Sequence, residues 1–271
     1  MEDEAGINRG RVHSNCHYHS SPLPIIPLVS PAKKDMANYS AEDDINFLSN
    51  FAKTEHMNYM GESCILVSHN SVEKSKFDIE EMFVNGKRKK VLSYDNNPNM
   101  IIVTPLLEAP FGCSSFDGAK YTMPLSMPTT KNKYTHAELD LEKVASFKKL
   151  LSFMDKQVRT TQVWSEMSNY MPIIRPSQDA TKYPDRLRVK VVMEDTAGGY
   201  KSVFYNIATG TEMSLDEVPK HAACVCALRV TPIWRMPDGR YGYTLELVRA
   251  DVHVKTQSAQ TSPKEIVEPT P

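Results

Sequence analysis

The chain has 271 residues, of which 41% are hydrophobic and 24% are charged, and its formal net charge is −1. These values are typical of a soluble globular protein, and the longest apolar runs, such as residues 100–103, are far shorter than the ~20 residues of a membrane-spanning helix. The five cysteines and the acidic start, Met-Glu-Asp-Glu, argue against a secreted, disulfide-bonded protein and favour an intracellular reducing compartment.

Both ends of the chain are predicted to be disordered tails. Residues 1–39 contain four prolines among Ser, His and Asn residues, and proline disfavours both helices and central strands. Residues 256–271 consist largely of Gln, Ser, Thr and Pro and have few apolar side chains. Met36 is a candidate start codon, which would make residues 1–35 an upstream extension. We therefore expect one folded domain over residues 40–255.

Short strands are predicted in the first half of this domain. Residues 64–68 and 100–104 are short runs of mainly apolar side chains, many of them β-branched. The Asn85-Gly86 pair is the strongest short-range signal for a two-residue hairpin turn. Residues 121–127 alternate between the two faces of a half-exposed strand, and Pro124 predicts that this strand lies at an edge or a bulge.

One long amphipathic helix is predicted at about residues 139–159. Its apolar side chains recur at spacings of three and four, with charged side chains between them: Leu141, Val144, Phe147, Leu151, Met154 and Val158. This pattern indicates a helix that packs one face against the core and exposes the other. Prolines at positions 172, 176 and 184 predict a loop after the helix.

The last third of the chain is predicted to form strands. Cations alternate with apolar side chains in the order Arg186, Leu187, Arg188, Val189, Lys190 and Val191, so the cations should lie on the face opposite the core. Residues 222–236 and 240–255 are predicted to be two long strands, joined by the turn at residues 237–239. Strands, one inserted α-helix and further strands together predict a mainly β fold, arranged as a small antiparallel barrel.

No assembled catalytic or metal-binding motif is visible in the sequence. The His and Cys residues between positions 13 and 19 are metal-ligand types, but structural zinc sites usually need a second pair of ligands. The acids at residues 42–44 are more simply interpreted as the start of a helix, whose dipole they complement. Cys224 and Cys226 are interpreted as small packing residues. We therefore predict no enzymatic activity, no metal and no cofactor.

Basic side chains interleaved with aromatic ones are the remaining candidates for a functional site. Lys and Arg can follow phosphates while aromatic rings stack on bases, so this combination is typical of proteins that bind single strands. Core packing is the alternative for Trp234 and Tyr241, and a solvated surface is the alternative for the cations. The candidate residues are Lys87, Arg88, Lys89, Lys90, Phe111, Phe116, Lys120, Arg186, Arg188, Lys190, Arg229, Trp234, Arg235, Arg240 and Tyr241.

Several segments of the chain resemble one family of viral proteins. In chain order they are Met100-Ile-Ile-Val-Thr-Pro, Pro110-Phe-Gly112, Lys120-Tyr-Thr-Met-Pro-Leu-Ser-Met, Tyr183-Pro-Asp-Arg-Leu-Arg-Val-Lys-Val, Val230-Thr-Pro-Ile-Trp234 and Tyr241-Gly-Tyr-Thr-Leu-Glu-Leu. Together with the long helix, they resemble the single-stranded-DNA-binding proteins of nucleo-cytoplasmic large DNA viruses. That family is similar to the OB-fold replication protein of short-tailed bacteriophages, and the resemblance covers residues 60–255.

This resemblance implies an OB-fold-like antiparallel five-stranded barrel with an inserted helix. It further implies binding of single-stranded DNA without strong sequence preference, which protects exposed strands during viral DNA replication, recombination or repair. The implied partners are single-stranded DNA and replication proteins contacted through the tails, and no membrane is involved. Whether the chain forms a homo-oligomer is left open. The implied location is the host nucleus or a cytoplasmic virus factory.

Two alternatives to this function follow from the residues themselves. A non-enzymatic structural or scaffolding protein of a virion or replication compartment would also combine a β-rich body with proline-rich tails. It would expose an apolar patch where a DNA-binding protein has a basic groove. A metal-dependent enzyme ranks last, because the acids and histidines near the start would have to converge in one pocket.

Overall fold

The computed structural model describes residues 55–59, 62–84, 86–115, 120–131, 135, 138–160, 169–193 and 201–254. Both predicted tails lie outside the described residues, as does Phe116, so the predicted domain limits stay predictions. Among the described residues, no helix combines the length and the apolar character that crossing a membrane requires.

The described residues form seventeen strands and one α-helix. The helix, α1, spans Leu141–Thr160. The strands are β1 (Glu55–Tyr59), β2 (Glu62–Ser68), β3 (Phe77–Val84), β4 (Lys87–Tyr94), β5 (Met100–Val103), β6 (Leu107–Ala109), β7 (Ser114–Ser115), β8 (Tyr121–Met127), β9 (Asn169–Tyr170), β10 (Ile174–Arg175), β11 (Asp185–Val191), β12 (Val203–Asn206), β13 (Thr211–Met213), β14 (Ala222–Val230), β15 (Trp234–Arg235), β16 (Arg240–Gly242) and β17 (Leu245–His253).

Five strands close into a barrel. β14 pairs with β6, β6 with β8, β8 with β11 and β11 with β17, which returns to β14. This confirms the mainly β, OB-fold-like barrel with one inserted helix. The predicted antiparallel arrangement holds for four of the five neighbouring pairs of the barrel, whereas β11 and β17 run parallel. Strand directions cannot alternate around a ring of five, so at least one neighbouring pair has to be parallel.

Further strands extend the barrel and stand beside it. β5 continues the edge of β14 next to β6, β2 pairs parallel to β5, and β12 pairs parallel to β17. β3 and β4 form a separate two-stranded hairpin in which Val84 pairs with Lys87, where the Asn-Gly pair predicts a hairpin; Asn85 itself lies outside the described residues. β15, β16 and β9 form a small three-stranded sheet.

Helix α1 begins at Leu141, about two residues after the predicted start, and buries most of the predicted apolar stripe. Asp140 caps it, because its Oδ1 accepts hydrogen bonds from the backbone N–H groups of Glu142 and Lys143, at 3.1 and 3.2 Å. The helix contacts β3 and β8. The predicted stripe is buried except for Leu141, and Leu150 joins it; burial of each large apolar side chain contributes about 1.5–3 kcal/mol.

The two long C-terminal strands are shorter than predicted. β14 ends at Val230 and β17 begins only at Leu245, while β15 and β16 between them belong to the small sheet. Pro232 has no N–H for a strand ladder, and the N–H of Ile233 donates instead to the carbonyl of Lys90, at 2.8 Å. The chain therefore leaves the barrel after Val230 and turns toward the β3–β4 hairpin.

β8 is not an edge strand of the sheet, but Pro124 lies at a local edge in its pairing. β8 lies between β11 on one side and β6 and β7 on the other. Ser126 pairs with β6 and Thr122 pairs with β7, and among the described strands no residue pairs with Pro124 on that side. The missing N–H of the proline therefore coincides with the gap between β6 and β7, where it disrupts no ladder.

His69 predicts a pH dependence of stability. Its side chain is buried edge-on against Phe147, with 6.0 Å between the ring centroids, and burial lowers the pKa of the imidazole below 6.5. Below pH 6.5 the unfolded state binds the proton more readily, so the free energy of unfolding should fall as the solution is acidified. Above pH 6.5 this contribution to stability is fully present.

Denaturant unfolding at pH 7.5, 6.5 and 5.5 measures this effect against the His69→Gln variant, which cannot titrate. We expect the variant to lose less stability than the wild type between the two lower pH values. Identical losses in the two proteins would contradict the assignment to His69.

Candidate nucleic-acid interface

The outer surface of β8 and β11 is basic. On β11, Arg186, Arg188 and Lys190 are exposed while the apolar residues between them are buried in the barrel, as the alternation predicts. On β8, the residues paired with these cations are Ser126, Pro124 and Thr122. We call the surface formed by these six residues the β8–β11 face; it presents three cations beside uncharged neighbours.

Arg175 adds a cation that sequence analysis missed. It lies on β10 and pairs directly with Arg186, so the two arginines share a face of the sheet. β10 has only two residues, which is too short for any alternation to be recognised. Its position follows only from its pairing with β11.

A cleft opens at the Arg186 end of the β8–β11 face. Its volume is about 330 Å³, and Phe111, Tyr183 and Arg186 are among the residues that line it. Phe111 is 50% exposed and Tyr183 is 59% exposed. The guanidinium of Arg186 lies 5.9 Å from the centroid of the Phe111 ring, which is cation–π geometry. The structure therefore brings two predicted residues, Phe111 and Arg186, together with Tyr183, which the residue-by-residue analysis did not select.

Local backbone features hold the two walls of this cleft. Gly112 has φ +60°, and a Cβ there would lie 2.6 Å from the carbonyl oxygen of Val218, so only glycine lets the Phe111 loop approach so closely. On the other wall, the N–H of Tyr183 donates to the carbonyl of Asp179 at 2.9 Å. Asp185 accepts from the N–H of Ser177 at 3.1 Å, which ties the start of this loop to β11.

Asp185 also links the cleft to helix α1. Its Oδ2 lies 2.7 Å from Nζ of Lys148. Partial burial acts to raise the pKa of Asp185, but the bonds from Lys148 and Ser177 outweigh it and hold the pKa below its usual range. The carboxylate is therefore ionised near neutral pH and acts as a structural anchor rather than as an acid.

Glu246 joins two of the predicted cations. It lies on β17 between its register partners Lys190 and Arg229, and its carboxylate contacts both, at 2.7 and 2.8 Å. The side chain of Glu246 is almost buried, and the lone carboxylate reduces the charge of this group from +2 to +1. The structure thus brings Lys190 and Arg229 together but partly neutralises them.

The predicted basic run, residues 87–90, lies on the β3–β4 hairpin. Arg88 stacks over Phe83, which is 69% exposed, with 5.5 Å from the guanidinium to the ring centroid. In the hairpin register Lys90 lies opposite Glu81, whereas Lys87, Arg88 and Lys89 lie opposite uncharged residues. The backbone bond from Ile233 to Lys90 places this hairpin beside the segment that carries Trp234.

The remaining candidates lie around the small sheet and before β8. Tyr241 is 6% exposed and packs against Tyr170, with 5.3 Å between ring centroids, which favours its alternative interpretation as a core residue. Trp234 is half-buried, and its Nε1 donates to Oγ1 of Thr244 at 3.1 Å. Arg240 is paired with Asp238 at 2.7 Å. Arg235 and Lys120 are exposed.

The described residues show no arrangement suited to a metal. No group of three or more His, Cys, Asp or Glu side chains within them could hold an ion. Cys224 and Cys226 are buried with their Sγ atoms 3.8 Å apart, and burial raises the pKa of the Cys226 thiol well above 9.0. These two thiols therefore lie in the core as packing residues.

No protein-family model and no curated protein matches this chain. Among solved structures, it aligns with gp2.5, a single-stranded DNA binding protein encoded by bacteriophage T7, at a TM-score of 0.38 and 10% identity, over 57% of this chain and 86% of the other. A C-terminal truncation of the single-stranded DNA-binding protein from bacteriophage Enc34 aligns at a TM-score of 0.37 and 14% identity, over 58% and 87% of the two chains. The Enc34 protein in complex with single-stranded DNA aligns at a TM-score of 0.36 and 12% identity, over 58% of this chain and 88% of the other. The relationship to large DNA viruses stays a prediction.

Proposed function

We propose that this protein binds single-stranded DNA without strong sequence preference through the β8–β11 face. The observation that carries the proposal is the row of three outward cations on β11, which lies on a closed five-strand barrel beside the exposed Phe111. In OB-fold barrels, oligonucleotides bind on the face of the second and third strands and on the loops that follow the first and fourth. In chain order, β8 and β11 are the second and third strands of this barrel.

The flanking loops carry residues suited to the same task. Phe111 lies in the loop between β6 and β8, and Arg235 lies between β14 and β17. The cations would follow phosphates, and the exposed aromatic rings would stack on bases. Lys87 and Arg88 lie near the turn of the hairpin that borders residues 231–236, and they would extend the basic surface on that side.

A scaffolding role is less well supported by the described surface. The exposed large apolar side chains there include Phe83 and Phe111, and each has an arginine over its ring. The described surface therefore offers aromatic–cation pairs here rather than the contiguous apolar patch that a scaffolding contact would expose. We extend the proposal to protection of exposed strands during viral DNA replication, recombination or repair, in an intracellular reducing compartment and without catalysis.

Fluorescence anisotropy with labelled oligo(dT) tests the proposal, with duplex DNA of equal length as the control. We expect micromolar or tighter binding to the single strand and weaker binding to the duplex. The logarithm of the binding constant should fall with the logarithm of the salt concentration, with a slope of about −0.7 for each phosphate contacted. No binding at low salt, or equal binding to both forms, would overturn the proposal.

A substitution at Glu246 is expected to strengthen DNA binding, whereas most substitutions on this surface are expected to weaken it. Glu246→Gln removes the carboxylate that partly neutralises Lys190 and Arg229 while keeping its size and a hydrogen-bond acceptor. We expect about fivefold tighter binding to oligo(dT) at low salt, because a unit charge at ~4 Å contributes about 1 kcal/mol in water. The matched control is Glu212→Gln, which removes an exposed acid paired with Lys201 at 3.7 Å. Unchanged or weaker binding of the Glu246 variant would contradict the prediction.

A further inference from the structure

We propose that the cleft between Phe111 and Tyr183 holds one unpaired nucleobase of the bound strand. This inference rests on the proposed function, because the cleft opens at the Arg186 end of the β8–β11 face. It assigns a role to Tyr183 and Gln178, and it identifies the place where the strand is contacted through a base rather than through its phosphates.

The size of the cleft suits a single nucleotide. Its volume of about 330 Å³ lies at the small end of ligand-binding pockets, which range over roughly 300–1,000 Å³. A base with its sugar fits such a space, whereas a run of stacked bases does not. The cleft would therefore hold one base at a fixed point while the neighbouring nucleotides follow the open face of the sheet.

The walls offer aromatic surface in positions that the backbone fixes. Phe111 and Tyr183 are two of the five exposed large hydrophobic side chains among the described residues, and they come from different loops to line the same cleft. Gly112 fixes one loop against the backbone of Val218, and the Asp179–Tyr183 backbone bond fixes the other. Rings held in advance lose little freedom on binding, and each offers a face on which a base can stack.

The polar groups of the cleft fit the remaining parts of a nucleotide. Arg186 lines the cleft, and its cross-strand partner Arg175 lies beside it, so two adjacent positive charges are available for the phosphate that follows the base. The carboxylate of Asp179 also lines the cleft, and Nζ of Lys182 lies 3.1 Å from it. Gln178 is exposed at the cleft, and its side-chain amide can both donate and accept a hydrogen bond. An amide of this kind can pair with the edge of any base, which agrees with binding that is largely independent of sequence. The paired arginines favour a nucleotide over an apolar peptide as the occupant.

Photocrosslinking locates the base directly. The probe is an oligo(dT) that carries a single 5-iododeoxyuridine, irradiated in complex with the full chain and analysed by mass spectrometry after proteolysis. We expect crosslinks at Phe111 or Tyr183. The variants Phe111→Leu and Tyr183→Leu keep an apolar side chain but lose the ring, and each should bind oligo(dT) about tenfold more weakly. Tyr183→Phe restores the ring and should bind and crosslink like the wild type.

The two proposals fail in different ways. If the wild type binds oligo(dT) but crosslinks only outside the cleft, and both leucine variants bind normally, the base pocket is overturned while the proposed function stands. If the wild type does not bind oligo(dT) at low salt, the proposed function falls and the pocket falls with it. Both side chains are largely exposed, so unchanged thermal unfolding of the leucine variants is the expected control.

Discussion

The double variant Arg186→Glu/Arg188→Glu is expected to bind oligo(dT) about a hundredfold more weakly than the wild type at low salt. Each substitution removes a cation from the β8–β11 face and adds an anion to it, and each such reversal costs about tenfold in affinity. Both side chains point away from the barrel, so the fold and its thermal midpoint should be retained. Anisotropy titration and thermal unfolding of the same preparations measure the two quantities.

The matched control places the same change of charge elsewhere. Lys149 and Lys156 are exposed on α1, on the side opposite its buried stripe, and Lys149→Glu/Lys156→Glu should change affinity by no more than about twofold. An equal loss in both double variants would mean that net charge, rather than the β8–β11 face, decides binding. The double variant Arg186→Gln/Arg188→Gln, which removes both charges without adding anions, provides a second measurement. Its slope of log binding constant against log salt concentration should become shallower by about 1.4 if two phosphate contacts are lost.

The parts of the fold that the sequence predicts well are those set by local patterns. In α1 the apolar side chains recur at the helical period within a single segment, so the pattern alone identifies the helix. The structure buries Val144, Phe147 and Val158 as expected. The strict alternation of β11 likewise needs only seven consecutive residues to fix which side chains point outward. The Asn-Gly pair between β3 and β4 is a two-residue hairpin signal with a direct steric cause.

The parts that the sequence does not predict depend on which strands become neighbours. Glu246 lies 56 residues from Lys190 and 17 from Arg229 in the chain, and only the pairing of β17 with both β11 and β14 brings its carboxylate between them. Arg175 becomes part of the basic surface only through the two-residue pairing of β10 with β11. Tyr183 and Phe111 line the same cleft although they come from two separate loops.

A second long-range consequence is the division of the C-terminal strands. The predicted strand over residues 222–236 runs past Val230, although Pro232 already argues locally for an interruption. The strand ends because Pro232 has no N–H to offer and the next donor, Ile233, finds its acceptor on β4. The loop between the fourth and fifth barrel strands thereby lies next to the basic hairpin, an arrangement that charge counting along the chain cannot reveal.

The largest expected loss of stability comes from Asp251→Ala. Asp251 lies on β17 with its side chain 3% exposed, and its Oδ1 accepts from Nε of Arg249, which is 7% exposed, at 2.6 Å. Tyr205 on β12 lies under the same guanidinium, with 4.1 Å to the ring centroid. Burial raises the pKa of Asp251, and Arg249 acts against this shift by favouring the charged carboxylate.

Removing the carboxylate leaves the guanidinium of Arg249 buried without its paired charge, and breaking such a pair costs about 3–5 kcal/mol. For a chain of this size, that corresponds to a thermal midpoint lower by roughly 6–20 °C. The double variant Arg249→Met/Asp251→Leu replaces both charges with apolar side chains and should recover most of the loss, because an apolar pair has no charge to desolvate. A loss below about 1 kcal/mol in Asp251→Ala would show that water screens the pair as it does on a surface. A double variant as unstable as the single one would show instead that the packing of Arg249 on Tyr205, and not the charge left behind, holds β12 against β17.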